Sequence, residues 1–507
     1  FGSNRIEEAK PLQYLTDDLW TITIKMDRTM FPDGGIFYNY ILKNKDGSVS
    51  YDWGNDKKLD AKTLVSDETL LIDSWNHPGY YENSFYTEPF QEVLLKQNET
   101  KAKAATAKKH THLFRVKSPL LPNGYTLCLL GNTKEMGEWN ETKPVIMWKD
   151  DVFYTAKLDL GNVDFPVSYK YGVWDVVNKQ FVRYEDGKDR LLYDAFVDVK
   201  NTIVNDGFAV LPAMGWKGAG IAIPVFSLKS ENSCGTGEFT DLKLLVDWAK
   251  KVGVKLIQIL PVNDTTAVHS WKDSYPYAAI SAFALHPMYV NLEKLARSEN
   301  HRILKGINKE KLRLNALTDL DYERVNTLKW NVIRQLYDEQ HEEIFASAAY
   351  KEFFEVNKHW LVPYAVFCKL RDKYGSAEFS KWPAYNEYKV SEAEALIESG
   401  SEKFDKVAIH FYVQFHLHLQ LKEATEYAHA NGIIVKGDIP IGIYRNGSDA
   451  WQHPELYHME MQAGAPPDDF AIKGQNWGFP TYNWQKMRED GFANYDQEWW
   501  HFSYDVP

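Results

Sequence analysis

Between residues 464 and 484 the chain reads GAPPDDFAIKGQNWGFPTYNW, with tandem prolines, paired aspartates, several aromatic rings and Lys473 as its only basic residue. Proline fixes φ and glycine permits sharp turns, so this backbone is expected to be pre-shaped. Its rings stand beside the amide and hydroxyl groups of Gln475, Asn476, Thr481 and Asn483. Flat apolar faces next to hydrogen-bonding groups suit a polyhydroxylated ligand such as a sugar, because aromatic rings bury large areas at little entropy cost. A well-packed surface loop is the other reading these residues allow. The histidines offer less. His416 and His418 lie two apart, so on a helix they face different ways, and His110 and His112 form no metal-ligand spacing. Cys128, Cys234 and Cys368 are far apart and form no CxxC pair, which fits a reducing compartment and implies no zinc knuckle. The GTG of CGTGEF lacks the strand–GxGxxG–helix context of a nucleotide site. No cofactor is expected.

The elements that must position such a loop are set by size and rhythm. A chain of 507 residues is expected to hold about two to four domains. With 44% apolar and 25% charged residues it is globular. A net charge of −12 argues against binding nucleic-acid phosphates or an anionic membrane, and no apolar run approaches the roughly 20 residues of a membrane helix. A cytoplasmic location is expected. The chain opens on Phe1 without methionine, so its true start is expected upstream.

Residues 1–88 carry short alternating runs such as LWTITIKM and IFYNYIL split by DGG and KDGS turns, an all-β pattern. Residues 89–109 read as a polar linker, helical or flexible. A second β-pattern covers 110–204, with YTLCLLGN, VFYTAKLDL and VSYKYGVWD. From 205 to 490 helices alternate with buried strands. TDLKLLVDWAKKVG is expected to start at a capping Thr240 and stop at Gly253 before the strand VKLIQILPV. HFYVQFHLHLQLKEATEYAHANG followed by IIVKGDIPIGI repeats the arrangement, which points to an α/β barrel or doubly wound sheet. Residues from about 295 to 405 look helical, an insertion or accessory layer.

The two β-regions are similar to one another. GSVSYDWGNDKK follows FYNYILKNKD in the first, and QFVRYEDGKDR follows VSYKYGVWDVVN in the second, which also holds LLGNTKEMGEWNETKPV. Together they resemble a tandem pair of family 20 carbohydrate-binding modules, the starch-binding β-sandwich. The resemblance implies a sugar platform of Trp139, Lys170 and Tyr184, the last standing where the family has tryptophan. In the first region Tyr51 takes the second aromatic's place and Asn39 replaces the lysine, so that module reads as degraded or incomplete. Core aromatics of a β-sandwich are the alternative.

GAGIAIPVFSLKSENSCGTGEFTDL, IQILPVNDTT and DSYPYAAISAFALHPMYV, then KGDIPIGIYRNGSDAW, GAPPDDF and GQNWGFPTYNW, resemble family 77 glycoside hydrolases. These are 4-α-glucanotransferases (amylomaltases or disproportionating enzymes) on a (β/α)8 TIM barrel, and the β-regions suggest the two-module branch. The implied fold is therefore two β-sandwich carbohydrate-binding modules followed by an incomplete barrel with a helical insertion. The resemblance makes Tyr277 the sugar-platform tyrosine, with Ser274 nearby, Asp438 a substrate-binding carboxylate at a strand end, Trp477 a stacking residue and Asp468 a polar contact. A strand-end turn cap is the other reading of Asp438. Starch, glycogen or malto-oligosaccharides are the implied partners.

Retaining transfer needs a carboxylate nucleophile and a carboxylic acid about 5 to 5.5 Å apart. The family's Arg-x-Asp-His and Glu-Asp-Leu-Gly motifs for these groups do not occur in the 507 residues, so no catalytic residue is assigned and the chain reads as a fragment. The tail 491–507, GFANYDQEWWHFSYDVP, resembles zinc D-Ala-D-Ala dipeptidases, which would make Glu498 a general base and His501 a metal ligand. A catalytic zinc needs three protein ligands, and the upstream Ser-x-His-x-x-Gly motif is absent, so no zinc site is assigned; the Gly491–Phe492 pair shared by both families suggests a join between two reading frames or genes, or an assembly artefact. The alternatives to a transferase fragment are a non-catalytic glucan-binding protein and, remotely, a zinc peptidase.

Overall fold

Along VSYKYGVWD the side chains alternate between two faces, as a strand requires. Val167, Tyr169, Tyr171 and Val173 are buried, and Lys170 is left on the opposite face. The structure is a computed structural model that describes residues 8–16, 19–26, 35–53, 57–60, 63–64, 66–96, 110–193, 201–211, 215–398, 404–489, 492–494 and 502–504. It divides into two units, Phe1–Lys217 and Gly218–Pro507.

In the first unit Val167–Asp175 lies between Tyr125–Gly131 and Gln180–Tyr184, with Val145–Ile146 beyond and Arg190–Leu192 pairing alongside. A second sheet runs in the order Trp148–Asp150, Phe153–Leu158, His112–Lys117, Thr202–Phe208, Leu70–Asp73. The two sheets share a core that includes Phe114, Leu127, Leu129, Tyr154 and Tyr169, with the rings of Phe114 and Tyr169 5.1 Å apart edge to face.

Thr202–Phe208 crosses the expected 204/205 boundary and runs parallel to both neighbours. Leu70–Asp73 therefore forms the edge of this sheet, and the β-region expected over 1–88 does not stand apart from the one that follows it. An edge strand's free N–H and C=O groups accept such an addition readily. The other described strands before it form two-stranded ribbons: Gln13–Thr16 with Leu19–Thr21, Ile36–Phe37 with Lys58–Leu59, and Ile41–Lys43 with Val49–Tyr51. Lys117 helps to fasten this region. It is fully buried, with its ammonium 5.4 Å from the Trp53 ring, 5.3 Å from Tyr86 and 4.1 Å from Phe208, a cation among ring faces. Asp73 adds hydrogen bonds from the Tyr38 and Tyr40 hydroxyls, 2.8 Å each, and from the Asn205 amide at 2.5 Å. Of the expected linker, Pro89–Leu94 form a short helix, and 97–109 lie outside the described residues.

In the second unit Ala219–Ile223, Val254–Ile259 and Ile434–Lys436 are parallel neighbours in that order. Helix Asp241–Val252 joins the first two and helix Asp405–Ala430 feeds the third, since parallel strands need a crossover. Asp241–Val252 buries Leu242, Val246 and Ala249, one stripe at helical spacing. It stops at Gly253, whose φ of 82° is the left-handed conformation glycine tolerates. Its start departs from the expected cap. Thr240 is itself helical and makes no side-chain cap bond. The Asp241 carboxylate instead accepts the Glu238 N–H at 2.8 Å and the hydroxyls of Ser230 and Ser233 at 2.6 and 2.8 Å. An ionised carboxylate is the stronger acceptor for those donors.

Between 295 and 405 the long helices are His301–Asn315, Tyr322–Ala346 and Ala348–Tyr374. They share a core with Asp405–Ala430, on which His416 meets Tyr412 edge to face at 4.6 Å and burial pushes its pKa down to about 4. Among the described residues no helix is long and apolar enough to cross a membrane. Phe492–Asn494 pairs with Phe502–Tyr504, while Glu498 and His501 lie outside the described residues.

One buried ion pair ties helix Tyr322–Ala346 to the turn before helix Asp241–Val252. Lys329 Nζ lies 2.5 Å from Glu238 Oε1, both side chains 1% exposed. It also donates to the carbonyls of Met288 and Val290 at 2.6 and 2.8 Å, and Asn291 donates to the other Glu238 oxygen at 2.6 Å. Replacing Lys329 by Met leaves this carboxylate buried without its cation and should cost about 3–5 kcal/mol. Urea unfolding of the full chain measures this, with Lys329→Met/Glu238→Leu expected to recover much of the loss. An unchanged midpoint for the single variant would contradict the assignment.

Candidate functional site

The chain leaves the C-terminal end of Val254–Ile259 on an excursion that returns at Leu285, bridged there to Asn263. Its stem is held by backbone bonds from Asp264 N–H to Ala284 O and from Ile280 N–H to Asp264 O, 2.7 Å each. Underneath, Asp264 accepts the Tyr364 hydroxyl at 2.7 Å and the Thr266 hydroxyl at 2.6 Å, and Arg371 donates to Thr266 O at 2.6 Å. The buried Asp273 carboxylate takes the Val268 N–H, and Glu323 takes the Trp271 N–H at 2.9 Å. Asp264, Thr266 and Trp271 thus tie the excursion to the helices behind it, while Asp273 braces it from within. The outer part carries Ser274, exposed on the turn Trp271–Ser274, then Tyr275 and Tyr277.

Tyr277 meets the third strand. Its hydroxyl donates to Asp438 Oδ2 at 3.0 Å, just beyond the end of Ile434–Lys436. Burial, then the bond to Asp438, raises the Tyr277 pKa above its ordinary value, so the hydroxyl stays protonated and donating. The other Asp438 oxygen accepts the Ile439 N–H at 3.1 Å. The carboxylate therefore does cap its own turn, and also reaches across to the excursion. The two segments are stitched further by Ser448 N–H to Ile280 O at 2.7 Å and Ala282 N–H to Asp449 Oδ2 at 2.7 Å.

The aromatic loop forms a hairpin. Tyr457–His458 pairs with Thr481–Tyr482, and Gly464–Ala465 with Gln475–Asn476. Its base is fixed to the Asp438 segment by the Tyr482 hydroxyl to Ile441 O at 3.0 Å and Arg445 to Met461 O at 2.5 Å. Trp477 lies partly exposed on the returning strand, its indole N–H donating to Gln475 Oε1 at 3.0 Å. Asp468 is turned inward on its own loop, accepting the N–H groups of Phe470 and Ala471 at 2.9 and 2.5 Å. That tip presents Phe470, 98% exposed. The sequence reading passed over Phe470 and Tyr275, although their position among prolines and aromatic neighbours was a usable signal.

In the first unit Trp139 and Tyr184 come together, with ring centroids 6.3 Å apart. Trp139 has a φ of +59°, following Glu138 at +49°, a strained backbone for bulky residues. Lys170, on the outer strand face, donates to Gly187 O at 2.7 Å. Tyr51 is 44% exposed on its ribbon and is not gathered with a second ring among the described residues.

A parallel β/α layer whose strand ends carry a tyrosine–carboxylate pair and an aromatic hairpin has the layout of a barrel enzyme's binding face. The chain belongs to the 4-alpha-glucanotransferase family of glycoside hydrolases, whose model matches residues 223–501. The 4-alpha-glucanotransferase DPE2 of Oryza sativa subsp. japonica is 34% identical over 482 residues, covering 91% of this chain and 49% of that protein. A 4-alpha-glucanotransferase of Chlamydia caviae is 33% identical over 287 residues, 55% of this chain and 51% of that protein. The structure of an amylomaltase from Streptococcus agalactiae in complex with acarbose aligns with a TM-score of 0.46 and 24% identity, covering 54% of this chain and 55% of that one. The chain spans about half the length of the relatives it matches.

Asp449 links pH to this stitching. Burial pushes its carboxyl up to about 6 from an ordinary 3.8. The folded-state pKa exceeds the unfolded one, so its stabilising contribution is complete below about pH 4 and is lost as pH rises through about 6. The stability of the wild type relative to Asp449→Asn should therefore fall by about 2–3 kcal/mol between about pH 4 and pH 7. Unfolding midpoints of both proteins across that range check it, and a constant difference would rule it out.

Proposed function

We propose that this chain supplies the glucan-binding face of a 4-α-glucanotransferase that moves α-1,4-glucan segments among starch, glycogen and malto-oligosaccharides. The observation that carries this reading is the 3.0 Å bond from the Tyr277 hydroxyl to Asp438 at a strand's C-terminal end, in a chain of this family. Tyr277 offers its ring to a glucose face, and Asp438 accepts sugar hydroxyls. Trp477 stacks from the hairpin. Asp468 serves by shaping the hairpin tip rather than by touching sugar, because its carboxylate is engaged by its own turn. Ser274 stands exposed beside the tyrosines.

The first unit adds a starch-binding platform of Trp139 and Tyr184, with Lys170 beside it and Tyr51 a weaker point on the preceding ribbon. The paired rings and the strained Trp139 backbone support this assignment. Three buried free cysteines suit a cytoplasmic setting. Retaining double displacement requires a nucleophilic carboxylate and an acid/base. The motifs that carry them do not occur in these 507 residues, so the residues present are assigned to binding and orienting glucan.

Glycogen affinity and a disproportionation assay with maltotriose plus glycogen test the proposal together. Retention on glycogen without released glucose is expected, with Trp139→Ala weakening retention roughly 3- to 10-fold, as loss of a stacking ring does. Glucose release with chain elongation would mean that the carboxylates lie within these residues. Failure to bind glycogen would remove the glucan reading.

A further inference from the structure

We propose that Tyr275 and Tyr277 form a two-ring platform that reads the curvature of an α-linked glucan, which makes Tyr275 a specificity-determining residue. The proposal rests on the reading of this face as a glucan site. Tyr275 is 56% exposed, a ring kept in water when burying it would stabilise the fold by about 1.5–3 kcal/mol. It sits two residues before Tyr277 in extended backbone, φ −76° and ψ 112°, and alternate residues of an extended segment share a face. The two ring centroids are 5.6 Å apart with their planes 50° from each other. Pro276 between them limits the backbone.

The pair is fixed from behind. Tyr277 is tethered to Asp438, and the preceding turn is held through Asp273, whose carbonyl accepts the Thr265 hydroxyl and whose carboxylate accepts the Val268 N–H. The rings therefore need little ordering when a ligand arrives. Their tilt selects the ligand. Successive glucose units turn relative to one another in a helical α-1,4 chain, whereas a β-1,4 chain is a flat ribbon. Two planes at 50° can lie against neighbouring units of the former and not of the latter. A single glucose engages only one ring.

Isothermal titration of the full chain tests this, in a Trp139→Ala/Tyr184→Ala background that silences the first-unit platform. Tyr275→Ala should weaken maltohexaose binding roughly 3- to 10-fold, with Tyr275→Phe within about twofold of the background because the ring face carries the contact. Cellohexaose should bind poorly with or without the Tyr275 ring. Circular dichroism is expected to be unchanged, since the side chain is exposed. If Tyr277→Ala loses maltohexaose while Tyr275→Ala does not, the platform is refuted and the glucan site stands. Equal losses of maltohexaose and cellohexaose on Tyr275→Ala would refute curvature reading alone. If the background chain binds no maltohexaose, the glucan-site reading fails and takes this proposal with it.

Discussion

Two glutamines hold the site's scaffold in place. Gln414, on helix Asp405–Ala430, accepts the Leu285 N–H at 2.8 Å and donates to the Leu285 carbonyl at 2.7 Å. Gln420 does the same for Asn291, at 2.7 and 3.1 Å. Each side-chain amide pairs with a backbone N–H and C=O as a neighbouring strand would. Buried backbone groups must find partners, and the chain from Leu285 to Asn291 runs beside a helix, where no strand is available. The helix therefore supplies partners from its side chains. With Leu285 fixed, its bridge to Asn263 closes the excursion, and the placement of Tyr277 against Asp438 follows from that closure.

The same logic explains the number of buried charges around these turns. Asp264, Asp273, Asp241 and Glu238 are all at least nine-tenths buried, and each is surrounded by donors from irregular backbone or from a cation. Desolvating a carboxylate is costly, and such arrangements often add little net stability over an apolar core. What they provide is a single geometry. A hydrophobic plug under the excursion would fill space without fixing which N–H or hydroxyl points where, whereas the bonds of Asp264 to Tyr364 and Thr266 leave one arrangement satisfied. The turns above this layer, with Tyr277 set against Asp438, are thereby held in one arrangement.

Local pattern made the regular parts legible. The apolar stripe of TDLKLLVDWAKKVG and the terminating glycine announce their helix, and the apolar run of VKLIQI its strand. The motifs also marked the segments of Tyr277 and Asp438, which the fold brings within hydrogen-bond distance. What escaped was long-range. Leu70–Asp73 pairs with a strand about 130 residues later in the chain, and nothing in LLID says which partner it takes. Gln414 and Gln420 look like ordinary polar helix positions, because their role exists only once Leu285 and Asn291 lie alongside. Thr240 had the right residue type for a cap but is itself helical, and the Asp241 carboxylate gathers the preceding turn instead through Glu238 N–H and two serine hydroxyls.

The hairpin shows how a nearly uncharged aromatic loop can be stiff without a core of its own. At its tip the Asp468 carboxylate accepts two backbone N–H groups, its own N–H reaches Ala471 O at 3.2 Å, and Gly474 N–H reaches the same carbonyl at 2.7 Å. The polar groups nearest the tip are largely consumed in holding its shape. The side chains left facing outward pair the apolar Phe470 and Ile472 with the charged Asp469 and Lys473. Such a loop, shaped by its own backbone bonds, has little conformational entropy left to lose.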